Sequence, residues 1–307
     1  MNRRAYQQDS DLKLLQDFNA AAIALTDHCG YLHPGDIPHH LFSGNKYYDP
    51  AEVMTIWEDA KGVAAWVIAA PRYKSFDAQV RPDLRGAAFE REILQYAEAR
   101  ILELMRKYEI DSEYISADAF QCDRARSSLL TDLGWELEDP ANYVLNRIRL
   151  SEIEQPLLPE GYWIRSGRGV EEAAALAEVH VASFGTDWTA EMYRRVIESP
   201  GYVPEREYLV VAPDGNLAAF TVTWHDPINR IGSFEPVGTH QDYRRLGLAR
   251  ALMMYGMQQM AAAGLEYATV ANFRDNEAAS GLYKACGFQS WYLLDDYAKP
   301  VPIPEQG

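Results

Sequence analysis

The sequence predicts an α/β protein made of two tandem copies of one domain, each a mixed, mostly antiparallel sheet with helices on both faces. Three observations predict it. In the second half, antiparallel strands come first and a β-α-β-α-β succession follows, an order that puts helices on both sides of a mixed sheet. The first half echoes that order in weaker sequence: "KSFDAQVRPDLRGAAFEREIL" (74–94) lies against "GSFEPVGTHQDYRRLGLARAL" (232–252), and "DRARSSLLTDLGW" (123–135) against "NEAASGLYKACGF" (276–288). Two echoes in the same order favour an internal duplication over chance. Third, "LSEIEQPLLPEGYWIRSG" (150–167) carries Pro156 and Pro159, which deny the backbone hydrogen bonds of either regular structure. The junction is placed near residue 155, giving domains at 1–155 and 156–307.

The second half then reads element by element. A strand at 161–166 precedes "VEEAAALAEVHVASF", where Leu176, Val179 and Phe184 recur at roughly helical spacing. "TAEMYRRVIES" is a short helix with Thr189 as N-cap. "EYLVVAPDGNLAAFTVTWHD" is a pair of strands around Asp214-Gly215, a hairpin signal. "IGSFEPVGT" is another strand, residues 244–263 a helix stopped by Gly264, and "EYATVANF" a strand. "NEAASGLYKAC" is a helix ended by Gly287, and "FQSWYLLDD" a closing strand.

Bulk properties narrow the function. The 307 residues suit two domains of ordinary size, and 48% hydrophobic content with 12% aromatics can fill a core in each. A net charge of −16 argues against a nucleic-acid partner, which needs a basic face, and fits a protein handling cationic or amine-bearing molecules as well as it fits simple solubility. The amino terminus lacks the apolar stretch of a signal peptide, and no apolar run is long enough for a membrane span. The cysteines (Cys29, Cys122, Cys286) are odd in number and far apart, suggesting neither a disulfide framework nor a zinc site. A reducing cytoplasm is therefore expected. Histidines crowd into "HCGYLHPGDIPHH" (His28, His33, His39, His40), yet their spacing fits no standard metal site, and the segment reads as a loop packed on a neighbour.

The stretch from His240 to Leu252 carries the chemistry. Arg244-x-x-Gly247-x-Ala249 follows a strand and opens a helix, where unpartnered main-chain amides and the helix dipole favour an anion. Gly247 lets a bulky diphosphate approach the backbone, Ala249 keeps the next turn close, and Arg244 and Arg245 add charge. A solvated helix start carrying arginines is the plain alternative. Downstream comes Asn276-x-x-Ala279-x-x-Leu282-Tyr283-x-x-x-Gly287-Phe288.

R-x-x-G-x-A after a strand, then N-x-x-A-x-x-L-Y-x-x-x-G-F, resembles the GNAT superfamily of acyl-CoA-dependent N-acyltransferases. The match covers roughly residues 161–297, and the doubled layout resembles tandem members of the mycothiol synthase type. The resemblance implies an N-acetyltransferase moving an acetyl group from acetyl-CoA directly to a primary amine of a small molecule, with no metal and no covalent enzyme intermediate. It implies that Val237, Gly238 and Thr239 contact the pantetheine arm, with Val237 or Thr239 offering the amide that Pro236 lacks. Arg244, Arg245, Leu246, Gly247, Leu248 and Ala249 would hold the pyrophosphate, and Asn276 would hydrogen-bond the coenzyme or cap the last helix. Tyr283 matches the general acid that protonates the leaving thiolate; a core aromatic is its other reading. Glu235, inside an otherwise apolar strand, is the candidate base, the alternative being a salt bridge with Arg230. Phe184, Trp188 and Tyr193 could line the acceptor pocket or simply fill the core.

The first copy departs from this pattern. Asp83 stands at the place of Arg244, Leu130 at that of Tyr283 and Asp123 at that of Asn276. An aspartate repels a pyrophosphate and leucine cannot protonate sulfur, so residues 1–155 are expected to form a degenerate, non-catalytic domain. The competing reading of the whole chain is a non-catalytic acyl-CoA-binding sensor or scaffold.

Overall fold

The structure, a computed structural model, describes residues 1–301. They fall into two compact units, and each is discontinuous in sequence. Unit 1 comprises residues 1–32, 44–144 and the chain from Tyr292; unit 2 comprises His33–Ser43 and Leu145–Trp291. These are not the successive halves 1–155 and 156–307 expected above, and the reason is an exchange of segments.

Unit 1 contains β1 (Asn2–Ala5), α1 (Asp9–Thr26), α3 (Pro50–Val53), β2 (Met54–Asp59), β3 (Gly62–Ala70), β4 (Ser75–Val80), α4 (Ala88–Lys107), β5 (Tyr114–Phe120) and α5 (Arg124–Asp132). Its strands run β1-β2-β3-β4-β5, and β5 is flanked by β12 (Gln289–Pro300), whose Leu294–Pro300 pair antiparallel with Phe120–Tyr114. The end of the sequence thus completes the sheet of the first copy.

Unit 2 contains α2 (Asp36–Pro38) with a π-helical turn at His39–Gly44, then β7 (Trp163–Ser166), α6 (Ala173–Phe184), α7 (Ala190–Ile197), β8 (Glu207–Val211), β9 (Leu217–Asp226), β10 (Ile231–Thr239), α8 (Leu248–Ala262), β11 (Tyr267–Phe273) and α9 (Glu277–Ala285). Its order is β11-β10-β9-β8-β7, and β11 is flanked by β6 (Glu136–Arg149), where Asn146 Nδ2 donates to Val270 O at 3.2 Å. Each copy therefore takes its last strand from the sequence of the other.

The duplication holds element by element. In both copies an antiparallel set is followed by a single parallel pair, with Ser75 opposite Ser116 in unit 1 and Ser233 opposite Thr269 in unit 2. Side chains of successive strand residues point to opposite faces. On one face of unit 2, Leu209, Phe220, Val222 and Trp224 pack under α6 and α7; on the other, Tyr208, Val210 and Ala219 pack under Leu248 and Leu252 of α8. Helices do cover both faces.

Two expectations are corrected. The helix predicted over 244–263 begins only at Leu248, because Arg245 (φ +64°) and Gly247 (φ +76°) occupy the left-handed region and break the helical path. Cys29 and Cys122 form a disulfide within unit 1, with Cα atoms 6.1 Å apart across 93 residues of sequence. Spacing could not show it, since the fold brings the end of α1 to the loop after β5. A reducing cytoplasm does not ordinarily maintain such a bond, so the localisation inferred from cysteine count loses its support. Among the described residues no helix is long and apolar enough to cross a membrane.

Candidate active site

The site forms where the parallel pair of unit 2 comes apart. β10 and β11 pair only from Ile231–Tyr267 to Ser233–Thr269; from Phe234 onward β10 keeps β9 alone and turns its other edge to a widening gap. The carboxyl ends of both strands and the amino ends of the helices that follow them face that gap, the usual place for a ligand in such sheets.

A bulge opens the strand at this point. Glu235 and Pro236 together oppose Val222, between the pairs Phe234–Thr223 and Val237–Thr221, and the Glu235–Pro236 peptide is cis. Bulges re-aim side chains next to functional sites. Trp224 Nε1 donates to Glu235 O at 2.9 Å and Thr221 Oγ1 to Pro236 O at 2.9 Å, fixing the bulge from β9. Gly238 is required here by contact: a Cβ would lie 2.3 Å from the Phe220 ring.

Beyond β10, residues 244–249 form the turn into α8. Arg244 through Gly247 are exposed, and among the described residues no side chain caps α8. The first amides of a fifteen-residue helix are thereby left to a ligand or to water. A Cβ on Gly247 would meet nothing within 4 Å, so its glycine answers to the positive φ and the open approach rather than to packing. Arg244 is directed inward: its Nη2 donates to Ser183 O at 2.7 Å and its Nε to Thr239 O at 3.4 Å, tying the turn to the end of α6. Arg245 and Leu246 stand in the exposed part of the turn, and Leu248 anchors it in the core. Asn276 caps α9, its Oδ1 accepting from the Ala279 amide at 3.0 Å.

Glu235 retains 27% of its side-chain surface and faces His39, whose Nε2 is 3.3 Å from Oε1. Burial, reinforced by Asp36 and opposed by His40, pushes its carboxyl up to about 7. The alternative partner is engaged elsewhere, Arg230 pairing with Glu266 at 2.6 Å. Tyr283 projects from α9 into the cluster of Phe234, Met253 and Phe288, and burial, then the charge of Glu235, pushes its phenol well up. It holds its proton at every physiological pH.

Sequence reasoning passed over a second buried carboxylate. Glu207, at the start of β8, is fully buried and accepts from the hydroxyls of Tyr193 and Tyr202; burial pushes it up to about 7. With both oxygens occupied it braces α7 against the sheet. Tyr193 is thus a core residue, Phe184 is largely exposed, and Trp188 lines a cavity of about 610 Å³ with Ala177, Glu178, Val181 and Gln241. Residues 33–43, read from the sequence as a loop packed on a neighbour, do pack on one; that the neighbour is the bulge of β10 only the fold shows.

The corresponding turn of unit 1 is filled from within. Gly86 has the same left-handed backbone (φ +70°), and its amide donates to the carboxylate of the fully buried Glu90. Burial opposes the charge of Glu90, but Arg126 (Nε to Oε1, 2.6 Å), the Gly86 amide and Arg85 outweigh it and hold the carboxyl below its usual range. Asp83 is turned to Lys61 and Arg81, Asp123 caps α5, and Leu130 is buried.

Residues 173–288 match the family described as "Acetyltransferase (GNAT) family". The mycothiol acetyltransferase of Nocardiopsis dassonvillei is 32% identical over 117 residues, 36% of this chain and 35% of that protein. The mycothiol acetyltransferase of Streptomyces bingchenggensis is 29% identical over 146 residues, 46% of this chain and 47% of that protein. The matched stretch thus spans less than half of either relative. Over nearly the whole chain the fold is similar to a tandem GNAT protein from the clavulanic acid biosynthesis pathway (TM-score 0.64, 15% identity, 98% of this chain and 99% of that one). It is also similar to a GCN5-related N-acetyltransferase from Sphaerobacter thermophilus (TM-score 0.63, 18% identity, 97% and 95%).

Proposed function

We propose, because residues 173–288 match the acetyltransferase (GNAT) family and the fold of nearly the whole chain is similar to that of a tandem GNAT protein, that unit 2 is an N-acetyltransferase that moves the acetyl group of acetyl-CoA to a primary amine of a small molecule. One observation supports the reading: β10 parts from β11 after Ser233, and beyond that point it carries Glu235 and leads into the uncapped start of α8.

In this reading the pyrophosphate lies on the amides from Arg245 to Ala249, with Arg245 adding charge and Arg244 holding the turn in shape. The pantetheine arm runs along the free edge of β10 over Val237, Gly238 and Thr239, hydrogen-bonding as an added strand would. An amine of ordinary pKa arrives protonated, and Glu235 takes its proton directly or through a water. The nitrogen lone pair attacks the thioester carbon, its oxygen polarised by an amide of β10. The C–N bond forms, the second proton of the attacking nitrogen passes to solvent, the C–S bond breaks, and the thiolate takes its proton from Tyr283. Solvent later reprotonates the phenolate and receives the proton from Glu235.

The test follows free thiol released from acetyl-CoA in the presence of a broad panel of amines. Amine-dependent release supports the proposal. Coenzyme binding without release would favour a sensor or scaffold, and neither binding nor release would remove both. The amino acceptor is to be read from the panel. Unit 1 is assigned a structural part, since Glu90 already satisfies its turn.

A further inference from the structure

We propose that His39 is the positioning residue for Glu235, and that the sequence 33–43, distant from the catalytic motifs, was retained in unit 2 to supply it. The inference rests on Glu235 acting as the base.

The observations concern how firmly this histidine is brought there. His33 accepts from the Gly35 amide at its Nδ1 (3.0 Å), which leaves the proton on Nε2 facing Ile231 O at 3.4 Å. Asp36 accepts from the His33 amide at 3.0 Å and closes the turn. Gly35 presses so closely on β9 that a Cβ would lie 2.1 Å from Trp224 Cβ. Phe42 packs against the cluster of Phe220, Val222 and Trp224. His39 then sits in a π-helical turn, a geometry that recurs at functional sites. The same Trp224 that seats this segment also holds the carbonyl of Glu235. Both members of the His39–Glu235 pair are therefore referenced to one side chain.

Burial, with His40 and His180 adding repulsion, keeps His39 neutral down to about pH 3. Its ring can therefore donate from Nε2 to Glu235 without carrying charge. The charged and titratable groups facing Glu235 are His39, His40, Asp36 and, from α9, Tyr283. His39 stands at contact distance, its Nε2 3.3 Å from Oε1, while the charge of His40 also favours the ionised carboxylate and that of Asp36 opposes it. A donor to the ionised carboxylate lowers its pKa and orients its other oxygen toward the gap.

The experiment measures kcat and KM against pH for the full chain with His39→Leu, His39→Asn and His39→Gln, with Glu235→Gln as reference. Glutamine places an N–H near the Nε2 position, whereas asparagine is too short to reach Oε1 and leucine has no donor. Leu and Asn are expected to move the acid limb of kcat upward by about one to two pH units, with KM for acetyl-CoA unchanged. Gln is expected to keep the wild-type limb. Equal displacement by Gln and Leu, or none by Leu and Asn, overturns the inference alone. Should Glu235→Gln retain full turnover, the base assignment falls and takes this inference with it. Asn and Gln differ by one methylene, so that pair decides the matter even where Leu fails to fold.

Discussion

Glu90 sets its carboxylate on the backbone N–H of Gly86, filling from inside the chain the turn whose counterpart at Gly247 has no side-chain cap. The two turns share a left-handed glycine and the start of a long helix, but only one is open to an external anion. Coenzyme A is therefore expected to bind with a stoichiometry of one per chain by calorimetry. A stoichiometry of two would show that unit 1 still binds it.

Gly247→Glu separates backbone strain from charge. Nothing crowds a Cβ at that place, so the cost to stability is that of a left-handed non-glycine residue, about 1 kcal/mol. A carboxylate at the helix start should reduce coenzyme affinity at least about tenfold, equivalent to ~1.4 kcal/mol. Calorimetry and thermal melting of the same sample check both quantities.

Tyr283→Phe keeps the ring among Phe234, Met253 and Phe288 and removes only the acid. The expected result is a fall in kcat of about a hundredfold with the Kd for coenzyme A unchanged. An unchanged kcat would return Tyr283 to the core.

Two carboxyls of unit 2 have native pKa values raised to about 7, Glu235 in the gap and Glu207 under α7. As base, Glu235 must be ionised, so kcat/KM should rise with pH through about 7. For stability the sign is opposite. The native state holds a proton on Glu207 that the unfolded chain gives up near 4.5, so its contribution is complete below that pH and is lost as pH rises through about 7. The difference is on the order of 3 kcal/mol. Thermal midpoints of wild type and Glu207→Gln, compared across that window, should show the flatter profile in the variant.

Cys286 is the buried free thiol, whereas Cys29 and Cys122 are bonded to each other. Alkylation of denatured, unreduced protein should label one site per chain by intact mass, and prior reduction should raise this to three. Cys29→Ser releases a loop of 93 residues and should cost unit 1 up to about 4 kcal/mol in chemical denaturation.

What the sequence disclosed and what it withheld divide along physical lines. The hairpin at Asp214-Gly215, the turn at Gly247 and the cap at Asn276 depend on residues a few positions apart, and each appears where local rules put it. The late start of α8 is a local feature too, but two consecutive motifs, a 3-10 turn at Gln241–Tyr243 and a left-handed Arg245, have no marker in composition. The approach of His39 to Glu235, the Cys29–Cys122 bond and the seating of β6 beside β11 are tertiary. Periodicity records which face a residue shows, not what meets it. Glu207 illustrates the limit: its neighbours Tyr193 and Tyr202 are fourteen and five positions away, at no helical or strand period.

The trading of β6 for β12 bears on how this polypeptide matures. A ribosome that has delivered every residue up to 150 has made all of the first sheet except the strand lying against Tyr114–Phe120, which arrives last. The first sheet cannot close before β12 is made, and a gene cut at the apparent linker would leave each fragment without the strand the other supplies.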